Sequence, residues 1–444
     1  MLALPESVVI AMPADRLTHA RQLLDFIDAS PTPWHAVASA EARLREHGFS
    51  RLEECARWAL LAPGARHYVV RGGSSLIAFI VGYGRLAESG FRIVGSHTDS
   101  PGLRVKPRPA LAGDGLLRVA VEVYGGPILA TFADRDLSLA GRLVLRGPTG
   151  SHVRLVRFDQ PLLRLPNLAI HMNREVNEQG LKLNKQNELP LLLAACDDDK
   201  EAESRLRALL AEAAQASPAD VLSWDLAAYD VQKGSLWGAS QEFVASSRLD
   251  NLSSCHAALQ ALMNADKPAA TCVAALFDHE EVGSESATGA GGTFAGDILE
   301  RLCLQAQLDG EDRLRAMANS FFVSADMAHA YQPNFPAAYE PGHKVMVNKG
   351  PVIKTHAQQR YNTTAETAAR FMAFCEQAGV PCQQYAHRAD IGCGSTIGPI
   401  VAARLGIPGV DVGSAMWGMH SIRESAGAHD QGYMIAALTA AYGS

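Results

Sequence analysis

A chain of 444 residues, 48% hydrophobic and 20% charged, is long enough to bury a substantial core and to form more than one domain. Its formal net charge of −7 comes with no run of Lys or Arg, which argues against nucleic acid as a partner, and no apolar run reaches the roughly 18 to 20 residues that span a bilayer. The eight cysteines are dispersed, with no C-x-x-C among them and several inside apolar segments, the usage of a reducing cytoplasm and not of a disulfide framework.

The opening MLALPESVVIAMP is apolar but holds Pro5 and Glu6 and no basic residue before Arg16. It lacks the layout of a secretory signal and reads as a loose extension, with Met12 an alternative start. PADRLTHARQLLDFIDAS has helical apolar spacing and is stopped at the prolines of ASPTPWHAV, where a second helix begins. RHYVVRGG, SSLIAFIVGYG and GFRIVGSHTDSPG read as strands, the last ending in a polar turn. From about Lys106 the pattern changes: Val, Leu and Gly alternate in LLRVAVEVYGG, LAGRLVLRG and SHVRLVRFD, with turn residues between, which predicts a β-rich unit. An acidic helix, DDDKEAESRLRALLAEAAQ, lies near its end. After SLWGASQEFVASSRLDN, long helices again alternate with buried strands. These elements imply an α/β sheet domain formed by residues 1–105 and 239–444, interrupted by an inserted domain at 106–238.

Polar residues gather at the ends of the apolar runs. TCVAALFD, Thr271 to Asp278, is a continuous apolar run of the kind that fills a strand buried on both faces. The adjacent acids Glu280 and Glu281 follow its carboxyl end, where open α/β sheets place their ligand crevice; the alternative is a pair of ordinary surface acids. GSHTDSP sets His97 and Asp99 two residues apart and so on one face. They form either a metal ligand with the carboxylate that orients it or a surface pair. SSRLDNLSS supplies Asp250 at the start of a helix, as a ligand or as an N-cap. FFVSADMAHA adds Asp326 and His329, and GMHSIRESAG adds His420. Their common placement at the ends of separate buried strands points to one converging site.

HTDSP, RLDN, DHEEVGS, SADMAHA and MHSIRE, in that order, resemble the aspartyl aminopeptidase family of dinuclear zinc exopeptidases. So do ASPTPWHA, LRVKP, VEVYGG, DRDLSLAGR, NLAIHMNRE, NKQNELP, GPVIKTH, QRYNT and GCGSTIGPI. The resemblance runs from about Arg16 to the end; Met172 is a departure that touches no expected ligand. It implies an α/β, mixed-sheet zinc exopeptidase domain with an inserted β-rich dimerisation domain. Position by position, it implies that His97 and Asp326 bind one metal, that Glu281 and His420 bind the other, and that Asp250 bridges both. Two imidazoles and three carboxylates suit Zn²⁺, with Co²⁺ or Mn²⁺ as substitutes, and a shared carboxylate lets two ions sit roughly 3.5 to 4 Å apart.

By the same resemblance Glu280 is the general base and Asp99 holds His97 by its free ring nitrogen. His329 and Lys354 fall in the substrate pocket, where Lys354 would pair with an acidic substrate side chain; its alternative is a surface lysine. His171, in the insert, would reach a neighbouring subunit's active site and steady the oxyanion, or else is a buried structural histidine. The family assembles dimers into closed dodecamers, so a homododecamer is expected. The implied activity is a cytoplasmic metallo-aminopeptidase removing an N-terminal residue, with Asp and Glu as candidates, from short peptides. A dinuclear deacylase or carboxypeptidase would use the same cage on a different end of its substrate. A catalytically silent, metal-stabilised assembly protein would need no free base such as Glu280.

Overall fold

The run TCVAALF forms a strand, Thr271–Phe277, whose seven residues are all buried. Because successive side chains point to opposite faces, Cys272, Ala274 and Leu276 join one core cluster while Val273, Ala275 and Phe277 join another. This strand lies inside a nine-stranded sheet of a computed structural model that describes residues 15–196 and 201–444. The expected N-terminal extension, with its alternative start at Met12, and the first residues of the acidic helix lie outside the described residues.

Four strands at the centre of the sheet run parallel, in the order Thr271–Phe277, Phe91–His97, Phe321–Ala325 and Gly409–Gly413. Antiparallel neighbours flank them, Ser75–Ile80 on one side and Val352–Thr355 on the other, so the sheet is mixed. Arg66–Arg71 and Ser50–Arg51 continue one edge, and Gln383–Ala386 closes the other. Helices Asp15–Asp28, Pro33–Glu46, Leu249–Asn264, Ala365–Gln377 and Asp430–Tyr442 pack on one face, and Phe294–Gln305 and Ile397–Leu405 on the other. The two expected N-terminal helices are present, and Pro33 opens the second, a position where its missing N–H costs nothing. With both faces covered, the carboxyl ends of the parallel strands form one exposed edge, the place for a ligand crevice in this architecture.

A second sheet is wholly antiparallel. Its strands, in spatial order, are Gly150–Arg157, Leu137–Gly147, Val221–Asp230, Gly102–Gly113, Leu116–Tyr124 and Leu191–Ala195. Helix Ala202–Ala213 covers it, with Leu206 and Leu210 in one core cluster with Leu103, Leu139 and Leu143. These strands occupy residues 102–230, whereas the expected insert ran from 106 to 238. Strand Gly102–Gly113 crosses position 106: its pairing with Leu116–Tyr124 shifts register between Val105 and Ala110, around Pro107 and Pro109. Proline cannot donate to a ladder, so a bulge inside a strand reads in the sequence as a boundary. At the other end, Ser235–Trp237 belongs to a third sheet, joined by Phe243–Ser246, Glu424–Gly427, Ala415–Trp417 and Ala328–His329. This five-stranded sheet was not foreseen.

Among the described residues no helix is long and apolar enough to cross a membrane. None of the eight cysteines forms a disulfide among the described residues, and Cys196, Cys255, Cys272, Cys303 and Cys375 are buried.

Candidate metal centre

His97 is the last residue of its strand and only 1% exposed, which removes the surface-pair reading. Asp250 lies in the first turn of helix Leu249–Asn264, where its backbone is not helical (φ −82°, ψ 107°) and its peptide bond to Asn251 is cis. It does not cap the helix. The capping position is Arg248, which makes no side-chain cap bond, and the Asp250 carboxylate turns inward. Asn251 ties this turn to the sheet by donating to the Ala325 carbonyl at 2.9 Å, next to Asp326.

His97 Nε2 stands 3.4 Å from Asp250 Oδ1 and 3.5 Å from Asp326 Oδ1. His420 Nε2 stands 3.5 Å from Asp250 Oδ2 and from Glu281 Oε2. The two oxygens of Asp250 therefore face different imidazoles. Such separations are long for an N–H···O bond and close to the edge, about 3.3 Å, of a tetrahedron of ligands about 2.05 Å from a shared ion. Asp250 Oδ1 and Glu281 Oε1 are buried with no hydrogen-bond partner, a costly condition that a cation relieves. The trios His97, Asp250, Asp326 and Asp250, Glu281, His420 each bring their donor atoms within 4.8 Å of one another, as do His97, Glu280 and Glu281. The residues fit metal on both sides of Asp250.

The surrounding bonds leave both Nε2 atoms for the cage. His420 Nδ1 is 3.1 Å from the Gly126 carbonyl, and His97 Nδ1 is 3.0 Å from the Asp99 carbonyl. The Asp99 carboxylate, expected to grip His97, is farther from that ring at 3.5 Å. Its shorter bonds go elsewhere: it accepts from Tyr124 Oη at 2.7 Å and from the Glu280 and Glu281 amides at 3.1 Å each. Glu424 is a further buried support. It accepts from the Asp250 amide at 3.1 Å and the His420 amide at 2.8 Å, joining the turns that carry both residues. Tyr124 and Glu424 were missed from the sequence although they lie within VEVYGG and MHSIRE, because a residue that binds backbone amides or a second carboxylate leaves no spacing signature.

Crowding of acids governs the electrostatics. Burial lifts the Glu280 carboxyl to about 8, with Asp326, Asp250 and Asp99 adding to the push and His97 opposing it. Burial, then the Asp250 charge, raises Glu281 well above the usual carboxylate range. Burial also pushes Asp250 upward, but His420 and His97 outweigh it and hold that carboxyl low. Burial works against protonation of His97, yet Asp250, Asp326 and Asp99 raise it. This negative surplus is what divalent cations neutralise.

These groups line a cavity of about 520 Å³ that also takes in His329, Lys354 and Tyr361. Lys354 is no surface residue: it is 2% exposed, and Nζ donates to the Asp326 and Met327 carbonyls at 3.1 Å each and to Asp326 Oδ2 at 3.4 Å. His329 is held to about 4 by burial, then by the charges of Lys354 and His387, and is neutral at neutral pH. His171 is not a buried structural residue. It is exposed, between Ile170 and Met172, themselves 48% and 76% exposed, and it does not line this cavity.

A cage of imidazoles and carboxylates at the carboxyl edge of a covered, mixed α/β sheet defines a metal-dependent hydrolase. The family model described as aminopeptidase I zinc metalloprotease (M18) matches residues 26–442, and the chain belongs to that family. It is 48% identical over 426 residues to a probable M18 family aminopeptidase 2 of Azotobacter vinelandii, covering 95% of this chain and 97% of the relative. The fold matches the cryo-EM structure of the Ape4 and Nbr1 complex with a TM-score of 0.92 at 38% identity, over 97% of this chain and 87% of that one. It matches the mApe1 dodecamer of S. cerevisiae with a TM-score of 0.83 at 28% identity, over 96% of each chain. The protein is thus a metallo-aminopeptidase that releases N-terminal residues.

Proposed function

We propose that Asp250 bridges two divalent cations, with His97 and Asp326 completing one site and Glu281 and His420 the other. The observation that carries this reading is the division of the Asp250 oxygens between two imidazoles. Zinc suits the donors and the family's description, and Co²⁺ and Mn²⁺ suit them chemically. Two such ions, when bound, lower the pKa of a water between them and polarise the scissile carbonyl. Glu280 is the general base: its carboxylate lies against His97 and Glu281, takes the proton of the attacking water and returns it to the leaving amine. Asp99 fixes the turn that carries both glutamates by accepting from both of their amides.

The substrate is a short peptide with an acidic first residue as the preferred case. Lys354 is the cation of the cavity, and its contact with Asp326 Oδ2 is its longest. A substrate carboxylate would replace that contact and keep the two carbonyl bonds, with neutral His329 beside it. The six-stranded sheet, continuous in sequence over 102–230, is read as an inserted dimerisation domain. His171 would act in a neighbouring subunit's cavity, since it stands exposed among the apolar Leu168, Ile170 and Met172, an arrangement suited to contact with another chain. The S. cerevisiae mApe1 of like fold is a dodecamer, and a homododecamer built from dimers is the assembly proposed. The dispersed cysteines, with no disulfide among the described residues, suit the cytoplasm.

Metal counting on chelated and reconstituted protein tests the cage. The parent should take up two ions per chain and Asp250→Ala should lose both, while His420→Ala should lose mainly one. A parent that saturates at one ion, or equal single-site losses in both variants, contradicts the bridge.

A further inference from the structure

Beside the metal cavity lies a second chamber of about 400 Å³. The two share His329 and Met419 as a common rim. Four rings, Phe335, Tyr339, Tyr385 and Trp417, stand in the walls of the second chamber beside the polar Gln332, Glu340, His387 and Arg388, and several of the polar groups are spent inside the protein. The Trp417 indole donates to the Tyr331 carbonyl at 2.9 Å, and Tyr385 Oη is 2.6 Å from His387 Nδ1. The two charged members are paired as well, Arg388 with Asp390 and Glu340 with His343 and the Gly342 amide, and the rings offer an occupant apolar surface. Phe335 follows the same logic from outside: it is 63% exposed at the start of the short turn Pro336–Ala338, an apolar side chain without a core. A volume of this size, apolar with a few polar groups, suits a single ligand group.

We propose that this chamber is the subsite for the residue that follows the scissile bond, and that it selects a large apolar or aromatic side chain there. The inference rests on the metal cage as the place of hydrolysis. With the scissile carbonyl at the cage, the first residue occupies the cavity that holds Lys354 and Tyr361, neither of which lines the second chamber. The rest of the peptide leaves over the His329–Met419 rim into the aromatic walls.

The test uses four tripeptides, Asp-Phe-Ala, Asp-Ala-Ala, Leu-Phe-Ala and Leu-Ala-Ala, with metal-loaded parent, Phe335→Ala, Phe335→Trp and Tyr339→Leu. Phe335 belongs to no core cluster, so its substitution leaves folding alone. The parent should favour Phe over Ala at the second position whatever the first residue. Phe335→Ala should lower kcat/KM for the two Phe peptides about five- to tenfold, mainly through KM, and leave the Ala peptides within about twofold. Phe335→Trp should restore the preference, and Tyr339→Leu should weaken it as Phe335→Ala does. Losses that follow the first residue would assign the chamber to the N-terminal side chain and overturn the proposal, as would variants that match the parent on all four peptides. A metal-loaded parent that cleaves none of the four would instead overturn the cage as the site of hydrolysis.

Discussion

Tyr124 donates a 2.7 Å hydrogen bond to Asp99, and with it the six-stranded sheet reaches into the edge of the nine-stranded one. Two residues on, the Gly126 carbonyl lies 3.1 Å from His420 Nδ1. A single turn at the end of strand Leu116–Tyr124 thus supports both imidazole halves of the cage, one through Asp99 and the other directly. Burial, then the charges of Asp99 and Asp278, holds the Tyr124 phenol above its usual range, so it remains a donor throughout the working pH. Tyr124→Phe removes the bond and little else. Supports of this kind are worth about 10- to 100-fold in metal affinity or activity, and titration of zinc into the chelated variant should read a loss of that size. Affinity equal to the parent's would leave the Tyr124 bond without a role in the cage.

Glu280→Gln should keep its metal and lose about 10² to 10⁴ in kcat. The amide is nearly isosteric with the carboxyl but accepts no proton from water, and its backbone bond to Asp99 is untouched by the change. Metal analysis run beside steady-state kinetics separates the two effects. Activity within a few-fold of the parent at full metal content would take the role of base away from Glu280.

The legibility of this site in the sequence follows from where its residues sit. Thr271–Phe277 and Phe321–Ala325 are buried on both faces, so each is a mostly apolar run and the acids that follow it stand out. The third sheet left no such trace: its members include Ala328–His329, with two residues, and Ala415–Trp417, with three, too short for an alternation to declare itself. Lys354 was open to a surface reading because lysines are seldom buried unpaired. Here the carbonyls of Asp326 and Met327 converge on it, a meeting of distant segments that local pattern does not encode. The Asp99 carboxylate is a similar case. Its spacing from His97 suggested one partner, and the fold supplied three nearer ones.

His256 makes stability depend on pH. It lies on helix Leu249–Asn264, 1% exposed, with Nδ1 2.9 Å from Gln431 Nε2, so the amide donates to an unprotonated ring. Burial, then the nearby Arg43 and His19, holds its pKa well below the ordinary 6.5. As pH falls below about 6.5 the unfolded chain takes up a proton that the folded chain refuses, and stability is lost, at up to about 1.4 kcal/mol per pH unit from this group. Urea unfolding of chelated protein at pH 7, 6 and 5 should show that decline, and His256→Gln, which keeps an acceptor for Gln431, should flatten it. Equal slopes in parent and variant would place the acid sensitivity elsewhere.

Lys354 carries the proposal on specificity, and its surroundings set how the test must be read. Its ammonium holds two carbonyls and Asp326 Oδ2, so Lys354→Met releases Asp326 as well as removing a charge from the cavity. Loosening Asp326 weakens the cage for every substrate alike. Removing the charge acts only on substrates that carry a carboxylate in their first side chain, where a charge-assisted bond is worth about 1.5 to 3 kcal/mol. The two effects separate when peptides beginning with Asp or Glu are compared with those beginning with Leu or Ala, on protein brought to full metal content. Lys354→Met should then lower kcat/KM for acidic first residues about tenfold or more beyond whatever the neutral ones lose. An equal fall for both groups would leave Lys354 as the support of Asp326 alone, and an acidic preference in the parent would need another source.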